Sequence, residues 1–261
     1  MVASASRTPP PVALVTGAGS GIGRASAQCF AREGYRVVIA DLDEEGGSET
    51  VARIESTGGE ALFHRVDVAE EEQVEAMVEL ALSAYGRLDC AHNNAGIGGP
   101  PVDTANYPRT EWDRVVATNL TGTWLCMKYE LAPMLEQGGG AIVNTASTFG
   151  VVGTAGMAAY VASKHAIVGL TRGAALEYAS RGVRVNSICP GITRTAQVER
   201  FFALLDEADP ERVAEEFAAR VPLGRVGRPE EIAEAAVWMC SAGSAFVTGH
   251  PMMVDGGWVA Q

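Results

Sequence analysis

Short, nearly continuous apolar runs alternate along the chain with longer stretches whose apolar positions recur every three or four residues. Val12-Ala13-Leu14-Val15, Val37-Val38-Ile39-Ala40, Ala61-Leu62-Phe63 with Val66, Leu88 to His92, Ala141-Ile142-Val143-Asn144 and Val183 to Ile188 read as strands. Helices are expected after the first strand up to Arg32, from about Asp43, over Glu70 to Ala84, over about Thr110 to Leu135, and over about Met157 to Ala179. Strands apolar on both faces and separated by helices imply a parallel sheet covered on both sides. Repeated β-α-β crossovers make that sheet doubly wound, an α/β fold with helices on both faces. After Ile188 the pattern changes to polar-apolar segments at about 196–220 and 230–240, then Met252-Met253-Val254. That reads as a helical insertion, with a lid at about 193–222, followed by a last strand. No linker divides the chain, so residues 11–261 are expected to form one domain. Residues 1–10, leading into Pro9-Pro10-Pro11, read as a flexible tail without the apolar stretch of a signal peptide.

Composition narrows the function. The 261 residues are 47% hydrophobic and 20% charged, with a net charge of −12. Such a surface repels a polyanion, so no nucleic-acid partner is expected. No apolar run is long enough to span a membrane. Five scattered cysteines without a C-x-x-C fit reduced thiols and a cytoplasmic location. The four histidines share no ligand spacing, and no metal is assigned.

The first strand runs into Thr16-Gly17-Ala18-Gly19-Ser20-Gly21-Ile22-Gly23. Glycines there permit a tight turn and let backbone N–H groups approach a pyrophosphate at a helix N-terminus. The same glycines could equally make only a tight strand-to-helix corner. No G-K-[ST] follows, which removes a P-loop ATPase. Asp41 ends the second strand 22 residues beyond Gly19, where a ribose-binding acid sits in a Rossmann-type domain. A carboxylate there accepts ribose hydroxyls and repels a 2′-phosphate, and Ser20 offers that phosphate no cation. The plain alternative is a cap for the next helix. NAD is favoured over NADP.

Tyr160-Val161-Ala162-Ser163-Lys164 places a phenol and an ammonium at i and i+4 of one helix face. An ammonium about 4–6 Å away lowers a tyrosine pKa toward the range of a general base. The default for such a pair is a surface contact, but its setting argues otherwise. Ser147 closes Asn144-Thr145-Ala146-Ser147, 13 residues before Tyr160, at a strand's carboxyl end. That end faces the ligand crevice of an open α/β sheet.

Together these residues resemble the short-chain dehydrogenase/reductase family, in its compact subtype with a Tyr-x-x-x-Lys active site. The resemblance runs over about 12–257 through the glycine loop, Asp67-Val68, Asn93-Asn94-Ala95-Gly96, Asn119, Ser147, Tyr160/Lys164, Pro190-Gly191 with Thr193, and Asp255-Gly256-Gly257. It implies that Tyr160 is general acid/base and that Ser147 stabilises the substrate oxygen. Lys164 would hold the nicotinamide ribose, and Asn119 would kink its helix and hold a proton-relaying water. The cofactor would lie against Gly17, Ser20, Gly21, Ile22 and Gly23, against Asp41 and Leu42, and against Asp67 and Val68, which flank the adenine. Asn94, Ala95 and Gly96, Tyr160 and Lys164, and Pro190, Gly191, Ile192 and Thr193 complete that set.

The implied reaction is NAD-dependent interconversion of a secondary alcohol and its ketone. An oxoacyl-carrier-protein reductase using NADPH is the rival within the family; Asp41 and the charge of −12 count against it. A non-catalytic dinucleotide sensor, the rival from another class, would be expected to have lost Ser147, Tyr160 or Lys164. The substrate is expected against Ser147, Phe149, Val152, Met157 and Tyr160. Phe201, Phe202, Leu204, Leu205 and Phe217 are expected to form the underside of the lid. With no cluster of Arg or Lys there, a neutral hydrophobic alcohol, alicyclic or terpenoid-like, is expected. The resemblance also implies a homotetramer.

Overall fold

Burial of alternate residues toward opposite helix layers organises the sheet. In the computed structural model, which describes residues 9–261, β1 (Val12–Thr16) is buried at every position. Its Val12 and Leu14 face one layer, and Ala13 and Val15 the other. The same alternation holds in β2 (Arg36–Asp41), where Val38 and Ala40 oppose Val37 and Ile39. The remaining strands are β3 (Glu60–Arg65), β4 (Cys90–Asn93), β5 (Gly140–Thr145), β6 (Val183–Pro190) and β7 (Pro251–Val254). All pair in parallel, in the order β3-β2-β1-β4-β5-β6-β7. One layer includes α1 (Gly21–Arg32), α2 (Glu44–Glu55) and α9 (Pro229–Cys240); the other includes α3 (Glu71–Tyr85), α5 (Gly122–Glu136) and α6 (Ala158–Tyr178). The fold is the expected doubly wound, Rossmann-like one. Of the expected tail 1–10, residues 1–8 lie outside the described residues, and Pro9 and Pro10 are exposed coil.

Two expected helices are each divided. The stretch expected over Thr110 to Leu135 is α4 (Arg109–Val116) and α5, joined by one π-helical turn at Ala117–Thr121. The stretch at 196–220 is α7 (Ala196–Leu205) and α8 (Pro210–Ala218). Asp209 Oδ1 accepts the Arg212 N–H (3.0 Å), and Pro210 occupies the first turn, so a new helix must begin there. The lid also packs differently from expectation. Phe202 is fully buried with Val213 and Ala214, and Phe201 and Phe217 close over that small core. The lid's aromatic residues satisfy each other, while Leu204 and Leu205 stay exposed.

Beneath the β4–β5 pair lies a buried acid. Glu130, on α5, has no solvent exposure. Asn93 Nδ2 donates to Glu130 Oε2 (3.0 Å) and to Asn144 Oδ1 (3.1 Å), and Asn144 Nδ2 donates to Thr171 Oγ1 (3.0 Å). Glu130 Oε1 and Asn93 Oδ1 have no partner among the described residues. Burial pushes the Glu130 carboxyl up to about 8. A proton there removes a buried charge and turns one of two orphaned acceptors into a donor. The folded chain thus keeps a proton that the unfolded chain releases near the ordinary value of 4.5. Stability contributed by the neutral acid is complete below that value and falls by about 1.4 kcal/mol per pH unit as pH rises toward the folded value. Glu130→Gln carries a permanent N–H donor and no titration. Urea unfolding from about pH 5 to about pH 8 should show the wild type losing stability relative to this variant; a constant difference across that range would refute the buried proton.

Candidate active site

The sheet reverses its winding direction between β1 and β4, and the crevice at their carboxyl ends is where ligands bind in such folds. One hydroxyl joins the two strands. Thr16 Oγ1 accepts the N–H groups of Asn94 and Ala95, each at 3.0 Å. The Asn94 amide returns the contact, donating to the carbonyls of Thr16 (3.1 Å) and Gly17 (3.3 Å). Gly17 turns the chain at φ +64°, and a Cβ on Gly23 would stand 2.1 Å from the Gly17 carbonyl oxygen. Only glycine at both positions lets α1 start this close to the strand. Ser20 makes no side-chain cap, and the first turn of α1 holds no acid, so its N-terminal N–H groups are open to an anion.

Asp41 reaches back to this loop. Its Oδ2 accepts the Gly19 N–H (2.7 Å) and its Oδ1 the Asp43 N–H (2.9 Å). Leu42, beside it, is exposed. The sequence reading missed Arg24, which fastens the loop to α2. Its Nη2 donates to the carbonyls of Gly19 and Gly46, its Nε to Thr50 Oγ1 (3.0 Å), and it pairs with Glu49 at 2.7 Å. The Arg24 guanidinium is therefore committed through Nε and Nη2 to the loop and α2. Asp67 turns its own backbone, accepting the Ala69 N–H at 3.0 Å, and Val68 is buried against Gly122.

Ser147, Tyr160, Lys164 and Asn119 converge at the ends of β4 and β5. The Ser147 hydroxyl lies near enough to the Tyr160 phenol to favour its ionised form. Lys164 Nζ lies 5.6 Å from the Tyr160 ring centre and donates to the Thr145 carbonyl at 2.7 Å. The expected lowering of the phenol by this ammonium is not what the structure gives. Burial raises the Tyr160 phenol above its ordinary value, with the nearby Ser147 hydroxyl opposing it. The same burial draws Lys164 down to about 8.

Asn119 occupies the π-helical turn, which is the break its position predicted. Its Oδ1 accepts the Ile97 N–H (2.8 Å), and its Nδ2 donates to the Ile97 carbonyl (2.9 Å) and to Ser163 Oγ (3.2 Å). Ser163 in turn donates to the Tyr160 carbonyl at 2.8 Å. A Cβ on Gly96 would come 3.3 Å from Asn119 Oδ1 and 3.4 Å from Lys164 Nζ, so the bare backbone at Gly96 leaves a cradle beside the ammonium.

The remaining walls come from loops and the lid. Phe149 donates its N–H to Ser147 Oγ (3.1 Å), Val152 is exposed and Met157 half-buried. Val102 pairs with Met157 across the mouth, linking the loop after β4 to the loop before α6. Thr193 is buried, with its hydroxyl donating to the Gly191 carbonyl at 3.0 Å. Gly227 N–H donates to the Ile192 carbonyl (2.8 Å), anchoring the lid's root, and Pro190 closes β6. Two further lid residues overhang the crevice. A Cβ on Gly21 would meet Thr195 Cγ2 at 3.1 Å, and one on Gly98 would meet Gln197 Nε2 at 3.6 Å. Neither residue belongs to a sequence motif, so only the folded arrangement reveals them.

A family model described as enoyl-(acyl carrier protein) reductase matches residues 17–259. The cyclohexanol dehydrogenase of an Acinetobacter species is 41% identical over 250 residues, covering 96% of this chain and 95% of that one. The crystal structure of levodione reductase superposes with a TM-score of 0.95 at 39% identity, over 97% of this chain and 99% of that one. An NAD⁺-bound xylitol dehydrogenase (TM-score 0.92, 35% identity, 97% of this chain and all of that one) has the same fold. So does an actinorhodin polyketide ketoreductase with NADPH (TM-score 0.91, 39% identity, 95% and 97%).

Proposed function

The chain belongs to the short-chain dehydrogenase/reductase family, and from that premise we propose that it is an NAD-dependent dehydrogenase of neutral, hydrophobic secondary alcohols, alicyclic or terpenoid-like. That it is an oxidoreductase interconverting a secondary alcohol and a ketone follows from its relatives. Asp41 carries the choice of cofactor. One carboxylate oxygen holds the Gly19 N–H and the other the Asp43 N–H, each with a lone pair left for ribose hydroxyls, and Arg24 is already committed to two carbonyls, Thr50 and Glu49. A 2′-phosphate would meet an anion with no free cation in that loop.

The nicotinamide, when bound, accepts or supplies the hydride. The residues present fit it: the open N-terminus of α1 suits the pyrophosphate, and the cradle at Gly96 opens beside Lys164. Ser147 holds the substrate oxygen and opposes its developing charge. Tyr160 takes the alcohol proton in oxidation and returns it in reduction. Lys164, fixed on the Thr145 carbonyl, orients the ribose, and Asn119 keeps Ile97 and α6 in register around it. Phe149, Val152 and Met157 supply the apolar wall. The family model's description names a carrier-linked substrate, but a chain of charge −12 repels an acidic carrier protein.

Large exposed apolar side chains support a homotetramer: Trp124 on α5, Leu176 on α6, Trp238 on α9 and Phe246 after it. The five free cysteines and the lack of any helix long and apolar enough to cross a membrane, among the described residues, support a cytoplasmic location.

Initial rates on cyclic, linear and sugar alcohols with each cofactor test the reading directly. NAD⁺ should exceed NADP⁺ by at least about tenfold in kcat/KM, since a phosphate facing a carboxylate loses more than about 1.4 kcal/mol. Cyclic hydrophobic alcohols should lead; equal rates with NADP⁺, or sugars leading, would overturn the assignment. Tyr160→Phe should lower kcat by about 100-fold or more with NADH affinity retained, and Lys164→Met should damage both. Because burial raises the Tyr160 phenol, wild-type oxidation should speed up toward alkaline pH and reduction toward lower pH. Light scattering should give four times 27.3 kDa, and a monomer at micromolar concentration would refute the assembly.

A further inference from the structure

Residues 255–261 join two parts of the substrate side that lie far apart in sequence. Asp255 builds a tight turn, its Oδ1 accepting the Gly257 N–H and its Oδ2 the Val259 N–H, both at 2.9 Å. The turn is pressed against the end of the lid. A Cβ on Gly256 would stand 2.5 Å from Val221 Cγ1, and one on Gly257 3.3 Å from Pro222 Cγ. Gln261 Nε2 donates to the Arg220 carbonyl at 3.0 Å. From this clamp the half-buried Trp258 reaches Phe149, ring centres 5.3 Å apart and planes at 79°. Phe149 follows Ser147 by two residues and donates its N–H to the Ser147 hydroxyl at 3.1 Å. Trp258 is therefore one aromatic contact from the catalytic serine.

We propose that Trp258 is a specificity-determining residue: its indole, held edge-on to Phe149, closes the far end of the substrate pocket. It thereby sets the size of ring that fits with its carbinol oxygen at Ser147 and Tyr160. The inference rests on the dehydrogenase reading above and names a wall that reading lacks. Several features support a wall over a plain packing residue. Trp258 sits in a turn held at both ends, by Asp255 Oδ2 on the Val259 N–H and by Gln261 Nε2 on the Arg220 carbonyl. Phe149 is the one wall aromatic whose backbone is tied to the catalytic serine, so a ring against Phe149 is positioned relative to the reacting oxygen. An edge-to-face pair also fixes the indole's orientation, so the wall is rigid. A substrate ring smaller than the space leaves apolar surface unmatched, and a larger one is excluded.

The test is steady-state kinetics of the full chain with NAD⁺, cyclohexanol and a fused bicyclic secondary alcohol such as 2-decalol. Trp258→Ala should shift the kcat/KM ratio toward the bicyclic alcohol by about tenfold, through KM more than kcat, with the NADH dissociation constant unchanged. Trp258→Phe should keep most of the wild-type ratio, and Trp258→Leu reads the same ratio should the alanine variant fold poorly. A ratio within about twofold of wild type in both Trp258→Ala and Trp258→Leu refutes the proposal. If Phe149→Ala shifts the ratio while the Trp258 variants do not, this proposal falls and the dehydrogenase reading stands. If the wild type turns over neither alcohol, it is that reading that fails.

Discussion

The Thr16 hydroxyl is the constraint on which the rest of the site depends. By accepting two successive backbone N–H groups from the end of β4, it fixes β1 and β4 at the point where the sheet reverses direction. The Asn94 amide completes the joint by bonding two carbonyls on the β1 side. Everything chemical is measured from there. The glycine loop departs from β1 in one direction, and Gly96 and Ile97 leave β4 in the other. Asn119 then holds Ile97 by both backbone groups, so α4, α5 and α6 inherit the same reference point. A polar bond buried at such a junction is strong because nothing competes for it and costly to lose because its partners would be stranded.

Helix α6 shows how burial, more than pairing, sets the chemistry. Tyr160 and Lys164 sit one turn apart, and that spacing alone suggested an ammonium lowering a phenol. In the structure both groups are desolvated, which raises one and lowers the other. The ammonium is neutralised locally by the Thr145 carbonyl dipole, not by the phenol. Desolvation thus moves the two proton affinities apart and keeps the proton on the phenol, the form that donates in the reductive direction.

The sheet, and the meeting of Ser147, Tyr160 and Lys164 at one end of it, were legible in the sequence because their signals are local. A strand buried on both faces must be apolar throughout, and Val12 to Val15 or Val37 to Ala40 admits no other reading. Tyr160, Lys164 and Ser147 stand out through spacing on elements already placed. What stayed hidden was whatever depends on two distant segments meeting. The π-helical turn at Ala117–Thr121 uses residues that an α-helix would accept, and only Asn119 hinted at it. Arg24 looks like an ordinary helix residue until Gly19, Gly46, Thr50 and Glu49 are seen around it. The lid's aromatics had the spacing of a face turned toward a ligand; spacing cannot say whether the apolar partner is a substrate or a second lid helix.

The two halves of the site are therefore built on different principles. The cofactor half consists of strand ends and backbone contacts, where even a methyl group at Gly23 would strike a carbonyl oxygen. Such a surface tolerates little change and serves one ligand shape. The substrate half is made of side chains on loops and a lid that carries its own small core of Phe202, Val213 and Ala214. A lid that satisfies its own apolar residues does not need the substrate to cover them. Its position then rests on a few fastenings: the backbone pair between Ile192 and Gly227, and the clamp of residues 255–261 on Arg220 to Leu223. Changes at those fastenings move a whole wall without touching the proton-transfer group. On the proposed reading, that separation would let control of specificity lie at the pocket's edge rather than at its chemical centre.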